Sequence, residues 1–137
     1  MGIKVLFIYP NTFGMNMLPP AIATFSAILK KEGHKVQVFD TTYYSTDHGN
    51  NSDGTKEEGL NVVPFSAELK KRGMTPKNSR WQDDVREQVD NFKPNLIALS
   101  ATEDMYELGI KVLEEIKKLI QKRIVIKFLI LFITHPL

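Results

Sequence analysis

The chain has 137 residues, 42% hydrophobic and 25% charged, a balance typical of one globular domain with its own core. Its net charge of +2 arises from 18 basic and 16 acidic residues and is too small and too scattered to indicate nucleic-acid binding. Cysteine is absent, which excludes disulfides, thiolate metal ligands, cysteine nucleophiles and any iron–sulfur cluster held by thiolates of this chain.

The first forty residues predict a strand, a helix and a second, parallel strand. Residues 4–10 are almost continuously apolar, as in a strand that is covered on both faces. After a loop over residues 11–18, two prolines open a helix over residues 21–31, whose apolar side chains recur at helical spacing. Gly33 ends this helix, and residues 36–40 form the next strand.

A polar insertion follows over residues 41–80. Its first part is rich in Ser, Thr, Asn, Asp and Gly and is predicted to be a loop. Residues 60–65 could add a short edge strand, since their proline excludes a central one, and residues 67–72 a helical turn. An insertion of this length within a compact domain is usually functional or mobile.

The second half of the chain returns to alternating helices and strands. In order, the pattern predicts a helix over 83–92 that Ser79 caps, a strand over 96–99, a loop over 100–104, a helix over 105–122 and a strand over 124–133. The apolar stripes of the two helices are Trp81, Val85, Val89 and Phe92, and then Leu108, Val112, Leu113, Ile116, Leu119 and Ile120. Glu114 and Lys118 are spaced as a supporting ion pair.

The element order predicts an α/β fold: a flavodoxin-like (Rossmann-like), doubly wound parallel sheet in three layers, with four strands. In such a sheet the first and third strands are neighbours, and ligands bind at the carboxyl ends of the strands. The loops over residues 11–18 and 100–104 would then face each other across one crevice. The run over 124–133 has only about ten residues, against roughly 20 in a membrane helix. No signal peptide is visible, so we expect a cytoplasmic protein with no membrane partner.

Several pieces of the sequence, in order, resemble a known family. They are KVLFIYPN (4–11), LPPAIA (18–23), LKKEGHKV (29–36), FDTT (39–42), FKPNLIALS (92–100) and TEDM (102–105). Their order and spacing resemble the N-terminal cobalamin-binding domain of cobalamin-dependent radical S-adenosylmethionine enzymes. The pieces span nearly the whole chain.

The resemblance implies a corrinoid held between the carboxyl ends of the strands and the rest of the enzyme. The loop after the first strand would lie under the corrin ring, through Asn11, Thr12, Met15, Asn16 and Leu18. The loop after the third strand would border the nucleotide tail, through Ser100, Ala101, Thr102 and Glu103. The first loop contains no histidine, so bound cobalamin is expected to be base-off without a histidine ligand.

The chain departs from the family pattern in two places. After the fourth strand, His135 and Pro136 keep the His-Pro of the family, but Phe132 and Ile133 stand where paired glycines are expected. The CxxxCxxC motif that holds the [4Fe–4S] cluster is absent. We therefore expect a fragment or natural truncation that ends before the radical domain, a cobalamin carrier that is not catalytic by itself.

Two alternatives stay open. In a nucleotide- or flavin-binding Rossmann-like domain Asp40 could bind a ribose hydroxyl, but no GxGxxG motif is present, and a turn-capping role for Asp40 is favoured. In a ligand-free interaction fragment, the edge of the strand over 124–133 would pair with another copy. His34 is interpreted as a turn residue, and His48 as part of a solvated loop.

Overall fold

The computed structural model of the chain describes residues 2–12, 19–46, 71–73, 75–103 and 105–120, and the backbone of residues 127–132. Strands and helices alternate in the order β1 (Lys4–Tyr9), α1 (Pro20–Lys31), β2 (Lys35–Asp40), α2 (Trp81–Phe92), β3 (Leu96–Ala101), α3 (Tyr106–Ile120) and β4 (Lys127–Phe132). Each was predicted within a few residues of these bounds. The predicted edge strand over 60–65 lies outside the described residues, as does most of the helical turn over 67–72.

The strands form one sheet in the order β2-β1-β3-β4, and all three pairings are parallel. Tyr9 is in register with Asp40, and Ile8 with Leu99, so the carboxyl ends of β2, β1 and β3 lie at one edge. The predicted α/β class is confirmed, and the strand order is compatible with a flavodoxin-like fold. Among the described residues, no helix is long and apolar enough to cross a membrane.

Alternate side chains of β1 belong to two separate cores, one on each face of the sheet. Leu6 and Ile8 join a cluster that includes the buried stripes of α2 and α3. Val5 and Phe7 join a smaller cluster that includes Ile22 of α1. Because successive residues of a strand point to opposite faces, helices cover both sides of the sheet.

Local contacts at the end of α1 tie it to the start of β1. Gly33 has a φ of +83°, the left-handed conformation that ends many helices and that glycine adopts without strain. The next residue, His34, accepts a hydrogen bond at Nδ1 from the Ile3 N–H (3.2 Å). The interpretation of His34 as a turn residue is confirmed: its Nδ1 holds the backbone that leads into β1.

An ion-pair network joins α2 to α3. Arg86 of α2 donates hydrogen bonds to Glu115 of α3, and Lys118 Nζ lies 3.1 Å from the other carboxylate oxygen. Glu115 is only 7% exposed, so these cations compensate a buried charge. The prediction that Glu114 pairs with Lys118 was wrong. The carboxylate of Glu115, three residues before Lys118, pairs with it instead.

The start of α2 also differs from the prediction. Arg80 is the N-cap residue, and no side chain caps the helix there. The hydroxyl of Ser79 instead donates to the Asp84 carboxylate (2.7 Å), so the expected capping role of Ser79 was wrong. The acidic residues of the first turn, Asp83 and Asp84, complement the positive end of the helix dipole.

The first turns of α3 lie very close to the sheet. At Gly109 a Cβ atom would be 2.7 Å from Leu99 Cδ1 and 3.2 Å from Pro10 Cγ. Leu99 has no exposed surface and cannot easily move away. A glycine at this position therefore allows α3 to pack against the carboxyl ends of β1 and β3.

Candidate functional site

A buried polar network occupies the edge where β1 and β2 end. Asn11 and Thr12 follow β1, Thr41 and Thr42 follow β2, and all four residues are at most 7% exposed. Threonine and asparagine are seldom so buried unless their polar atoms are hydrogen-bonded.

The Thr41 hydroxyl holds the backbone of Asn11 from both sides. It accepts a hydrogen bond from the Asn11 N–H and donates one to the Asn11 carbonyl oxygen, both at 2.7 Å. The Thr41 N–H in turn donates to the Tyr9 carbonyl (3.2 Å), which continues the β1–β2 contact past the ends of the strands. The first residues after β1 are thus held rigidly by β2.

Side chains extend the network toward solvent. Asn11 Nδ2 donates to the Thr42 hydroxyl (2.9 Å), which donates to the Asp40 carboxylate. That carboxylate also accepts the Thr42 N–H (2.8 Å). This is the side-chain turn that Asp commonly forms two residues on, so the turn-capping role predicted for Asp40 is confirmed.

Thr12 is the exception within this network. It is 2% exposed, yet its hydroxyl has no hydrogen-bond partner in the part of the chain that the structure describes. An unpaired buried hydroxyl costs about 1–3 kcal/mol in proteins, so its persistence calls for an explanation. A polar group of a ligand that reaches the end of β1 would satisfy it.

The end of β3 contributes less of a loop than predicted. Ser100 and Ala101 belong to β3, where they are in register with β4 and are 2–3% exposed, so the expected loop over 100–104 starts later. Pairing with β4 extends the strand beyond its apolar run. Thr102 and Glu103 are exposed, and their carbonyls accept hydrogen bonds from Met105 and Tyr106 at the start of α3.

A second polar cluster joins the two ends of the insertion. The Tyr44 hydroxyl donates to Asp84 Oδ2 (2.7 Å) and accepts from Lys77 Nζ (2.9 Å), whose ammonium also lies 4.5 Å from the Tyr44 ring centroid. The Lys77 N–H donates to the Tyr43 carbonyl. Residues just after β2 and just before α2 are therefore joined by backbone and side chains.

The protonation states in this second cluster indicate a structural role. Burial and the hydrogen bond to Asp84 raise the pKa of the Tyr44 phenol above its ordinary value. Hydrogen bonds from Tyr44 and Ser79 lower the pKa of the Asp84 carboxyl. Tyr44 is 2% exposed and stays a neutral donor, which is unsuited to a general base for a substrate in solvent.

The structure thus brings together part of the predicted site. Asn11 and Thr12 lie at the end of β1, next to β3, which ends in Ser100 and Ala101. Met15, Asn16 and Leu18 lie outside the described residues, as do His48 and His135. The sequence analysis assigned no role to Thr41 and Thr42. Their position could have indicated one, because they directly follow β2, whose carboxyl end lies beside that of β1.

No family model, curated protein or solved structure matches this chain. Within the described ranges, no group of three or more His, Asp or Glu side chains is arranged to hold a metal ion.

Proposed function

We propose that this chain is a cobalamin-binding (corrinoid-binding) module of flavodoxin-like fold, which holds its ligand at the carboxyl ends of β1 and β3 and is not catalytic by itself. The observation that carries the proposal is the strand order: β1 and β3 are neighbours, while the connections from them run to opposite faces of the sheet. In open α/β sheets this is the position where ligands bind.

The polar groups at this edge support the proposal. Asn11 is held by Thr41, so the chain leaves β1 in one direction, and Thr12 follows with a buried hydroxyl that needs a partner. Small-molecule sites commonly combine a largely apolar surface with a few fixed polar groups. The identity of the ligand rests on the family resemblance of the motifs that surround this edge.

On this proposal, each group has a limited task. The Thr12 hydroxyl hydrogen-bonds an amide of the corrinoid, Asn11 and Thr41 position that hydroxyl, and Thr102 and Glu103 border the nucleotide tail. When bound, the corrinoid would supply a cobalt centre able to carry a methyl group. The chain's own residues bind and orient it.

The test is a titration of the purified chain with hydroxocobalamin, followed by gel filtration and a visible spectrum. We expect co-elution and a base-off spectrum without histidine ligation. Thr12→Val, which removes the hydroxyl and keeps the shape, should weaken binding by about ten-fold, as expected for one lost hydrogen bond. Ser26→Ala is the matched control, because Ser26 in α1 carries another buried hydroxyl without a described partner.

Each result has a definite meaning. A folded chain that retains no cobalamin would refute the proposal, and a thermal shift with a nucleotide or flavin alone would replace it with the Rossmann-like alternative. Equal affinities for the wild type and Thr12→Val would leave a corrinoid module in which Thr12 makes no ligand contact.

A further inference from the structure

The amino-terminal edge of the sheet, opposite the proposed cobalamin site, carries a group of lysines. Lys4 and Lys35 are the first residues of β1 and β2 and lie in register with each other. Lys30 and Lys31 belong to the last turn of α1, and Lys93 is the C-cap residue of α2. Because each helix leads back to the start of the next parallel strand, all five lysines lie at this edge, which we call the basic edge.

Hydrogen bonds hold the segments of the basic edge side by side. The Lys35 N–H donates to the Ile3 carbonyl (2.9 Å), which joins the start of β2 to that of β1. The Lys4 N–H donates to the Asn95 side-chain oxygen (2.9 Å), and the Asn95 N–H donates to the Lys4 carbonyl (2.8 Å). Asn95 lies two residues after Lys93. The lysines are therefore carried on one continuous surface.

The charges of the basic edge have no counter-charge among the described residues. None of the five side chains forms an ion pair or a side-chain hydrogen bond there, and the Lys4 ammonium lies 5.8 Å from the Phe92 ring centroid. Five other described cations each lie at most 3.9 Å from a carboxylate oxygen, namely Lys77, Arg80, Arg86, Lys111 and Lys118. The basic edge thus presents positive charge that the described chain leaves unneutralised.

Two features of the basic edge cost stability within the chain. Lys4 and Lys35 lie opposite each other on strands about 4.8 Å apart, so their like charges repel. Lys93 has a φ of +52°, and it is the one described residue other than glycine with a positive φ, which glycine or asparagine adopts at a helix end with less strain. The helix dipole accounts for cations at the end of α1, but not for lysines that begin strands. Repulsion and strain kept at a surface indicate a role beyond folding.

We propose that the basic edge docks an acidic segment of a partner protein. Carboxylates of that segment pair with the ammonium groups of Lys4, Lys35 and Lys93, and they relieve the repulsion between the two strands. The basic edge and Thr12 lie at opposite ends of the strands. Docking therefore leaves the proposed cobalamin site open and does not depend on it.

The composition of this surface favours a protein over a nucleic acid or a membrane. Glu32 is exposed between Lys31 and Lys35, and a partner with negative charge everywhere would be repelled there. A protein can place a cation or a neutral group opposite Glu32. The cations are all lysine, whereas surfaces that bind nucleic acid commonly combine arginine with exposed aromatic rings for stacking.

The contact should be weak and sensitive to salt. Exposed ion pairs each contribute little, so the affinity depends on several of them acting together. Their range falls from about 30 Å at 0.01 M ionic strength to about 8 Å at 0.15 M. Binding should therefore weaken steeply as salt is added.

The experiment is a fluorescence anisotropy titration of a labelled oligoglutamate peptide with the whole chain at low ionic strength, with oligoglutamine of the same length as the control. Lys35→Gln and Lys93→Asn should each weaken oligoglutamate binding by about three-fold, and the double variant by about ten-fold. Lys111→Gln is the matched control: it removes the same charge from α3, where Glu107 pairs with it, and should leave binding unchanged.

Thermal unfolding separates docking from a structural role. Lys35→Gln removes a repelled charge and Lys93→Asn suits the left-handed backbone, so both should raise the thermal midpoint while they weaken binding. A lower midpoint in both variants would show that the lysines serve the fold and would contradict the proposal.

Three binding results would also overturn the proposal. One is equal affinity for oligoglutamate and oligoglutamine, and another is oligoglutamate binding that the double variant retains in full. The third is tighter binding to duplex DNA or to vesicles of phosphatidylcholine and phosphatidylserine, which would assign the basic edge to a nucleic acid or to a membrane.

Discussion

On one face of the sheet, α2 and α3 bury a core of twelve described side chains, whereas on the other face α1 buries a core of four. The first core is closed by the Arg86–Glu115 link between its two helices. The second leaves a groove beside α1 and two large apolar side chains exposed. Among the described residues, one face of the sheet is therefore packed more densely than the other.

The difference indicates that the two faces contribute unequally to stability. Parallel sheets are normally covered on both sides, because their strands are apolar throughout. Here β1 is apolar over residues 5–8, but only one face of the sheet is packed densely by the described helices. A substitution should thus cost much more on the α2/α3 face than on the α1 face.

The largest expected difference comes from replacing one isoleucine by alanine on each face of the sheet. Ile116→Ala on α3 removes a fully buried side chain and should lower the free energy of unfolding by about 3 kcal/mol. Ile28→Ala on α1 removes a half-exposed one and should change it by about 0.5 kcal/mol or less. Urea unfolding at low protein concentration measures both, and equal losses would contradict the asymmetry.

The next largest effect on stability is expected at Gly109, where α3 lies very close to the sheet. Alanine normally favours a helix over glycine by about 1 kcal/mol. At Gly109 we expect the opposite sign, a loss of about 1–3 kcal/mol, because the new Cβ meets the fully buried Leu99 side chain. Combining Gly109→Ala with Leu99→Ala in a double-mutant cycle should show a favourable coupling; additive losses would mean that the crowding is relieved elsewhere.

Two threonines at the carboxyl ends of β1 and β2, Thr12 and Thr41, offer matched substitutions. Thr41→Val breaks both hydrogen bonds to the Asn11 backbone and should cost about 2 kcal/mol. Thr12→Val removes a buried hydroxyl without a described partner and should raise stability by about 1 kcal/mol, because the desolvation cost of that hydroxyl is removed. Thermal unfolding without ligand distinguishes them. A large loss for Thr12→Val would mean that its hydroxyl is already bonded within the chain.

The smallest expected effect on stability is that of the Arg86–Glu115 ion pair, which joins α2 to α3. Burial by itself raises the pKa of Glu115, but hydrogen bonds from Arg86 and Lys118 outweigh burial and hold that pKa below its ordinary value. Glu115→Gln should cost about 1 kcal/mol at pH 7, since Arg86 is partly exposed and solvent screens the pair.

The pH dependence of this effect has a definite sign. A carboxyl whose pKa is lowered on folding stabilises the protein above its unfolded pKa, and this contribution is lost as the pH falls through the folded pKa. The stability difference between wild type and Glu115→Gln should therefore be full at pH 7 and shrink below about pH 4. A difference that stays constant into acid would show that the charge of Glu115 contributes nothing.

Local pattern alone predicted most of the elements. The apolar run of β1, the prolines before α1, Gly33 after it and the stripes of α2 and α3 all lie where the sequence places them. Each signal depends on residues close together in the chain. The helix caps and ion pairs were less predictable, because Ser79 and Lys118 each had more than one partner within reach.

The sequence by itself determined the α/β class and the order of the elements, and it predicted the edge of the sheet at which we expect a site. Only the tertiary structure decided that Thr41 holds Asn11, that Thr12 is buried without a described partner, that Ser100 and Ala101 extend β3, and that the described helices pack one face of the sheet less densely than the other. These features join residues about 30 or more positions apart, through strand register and helix packing. Hydrophobic periodicity records which side of an element is buried, but it does not record which distant side chain will lie against it.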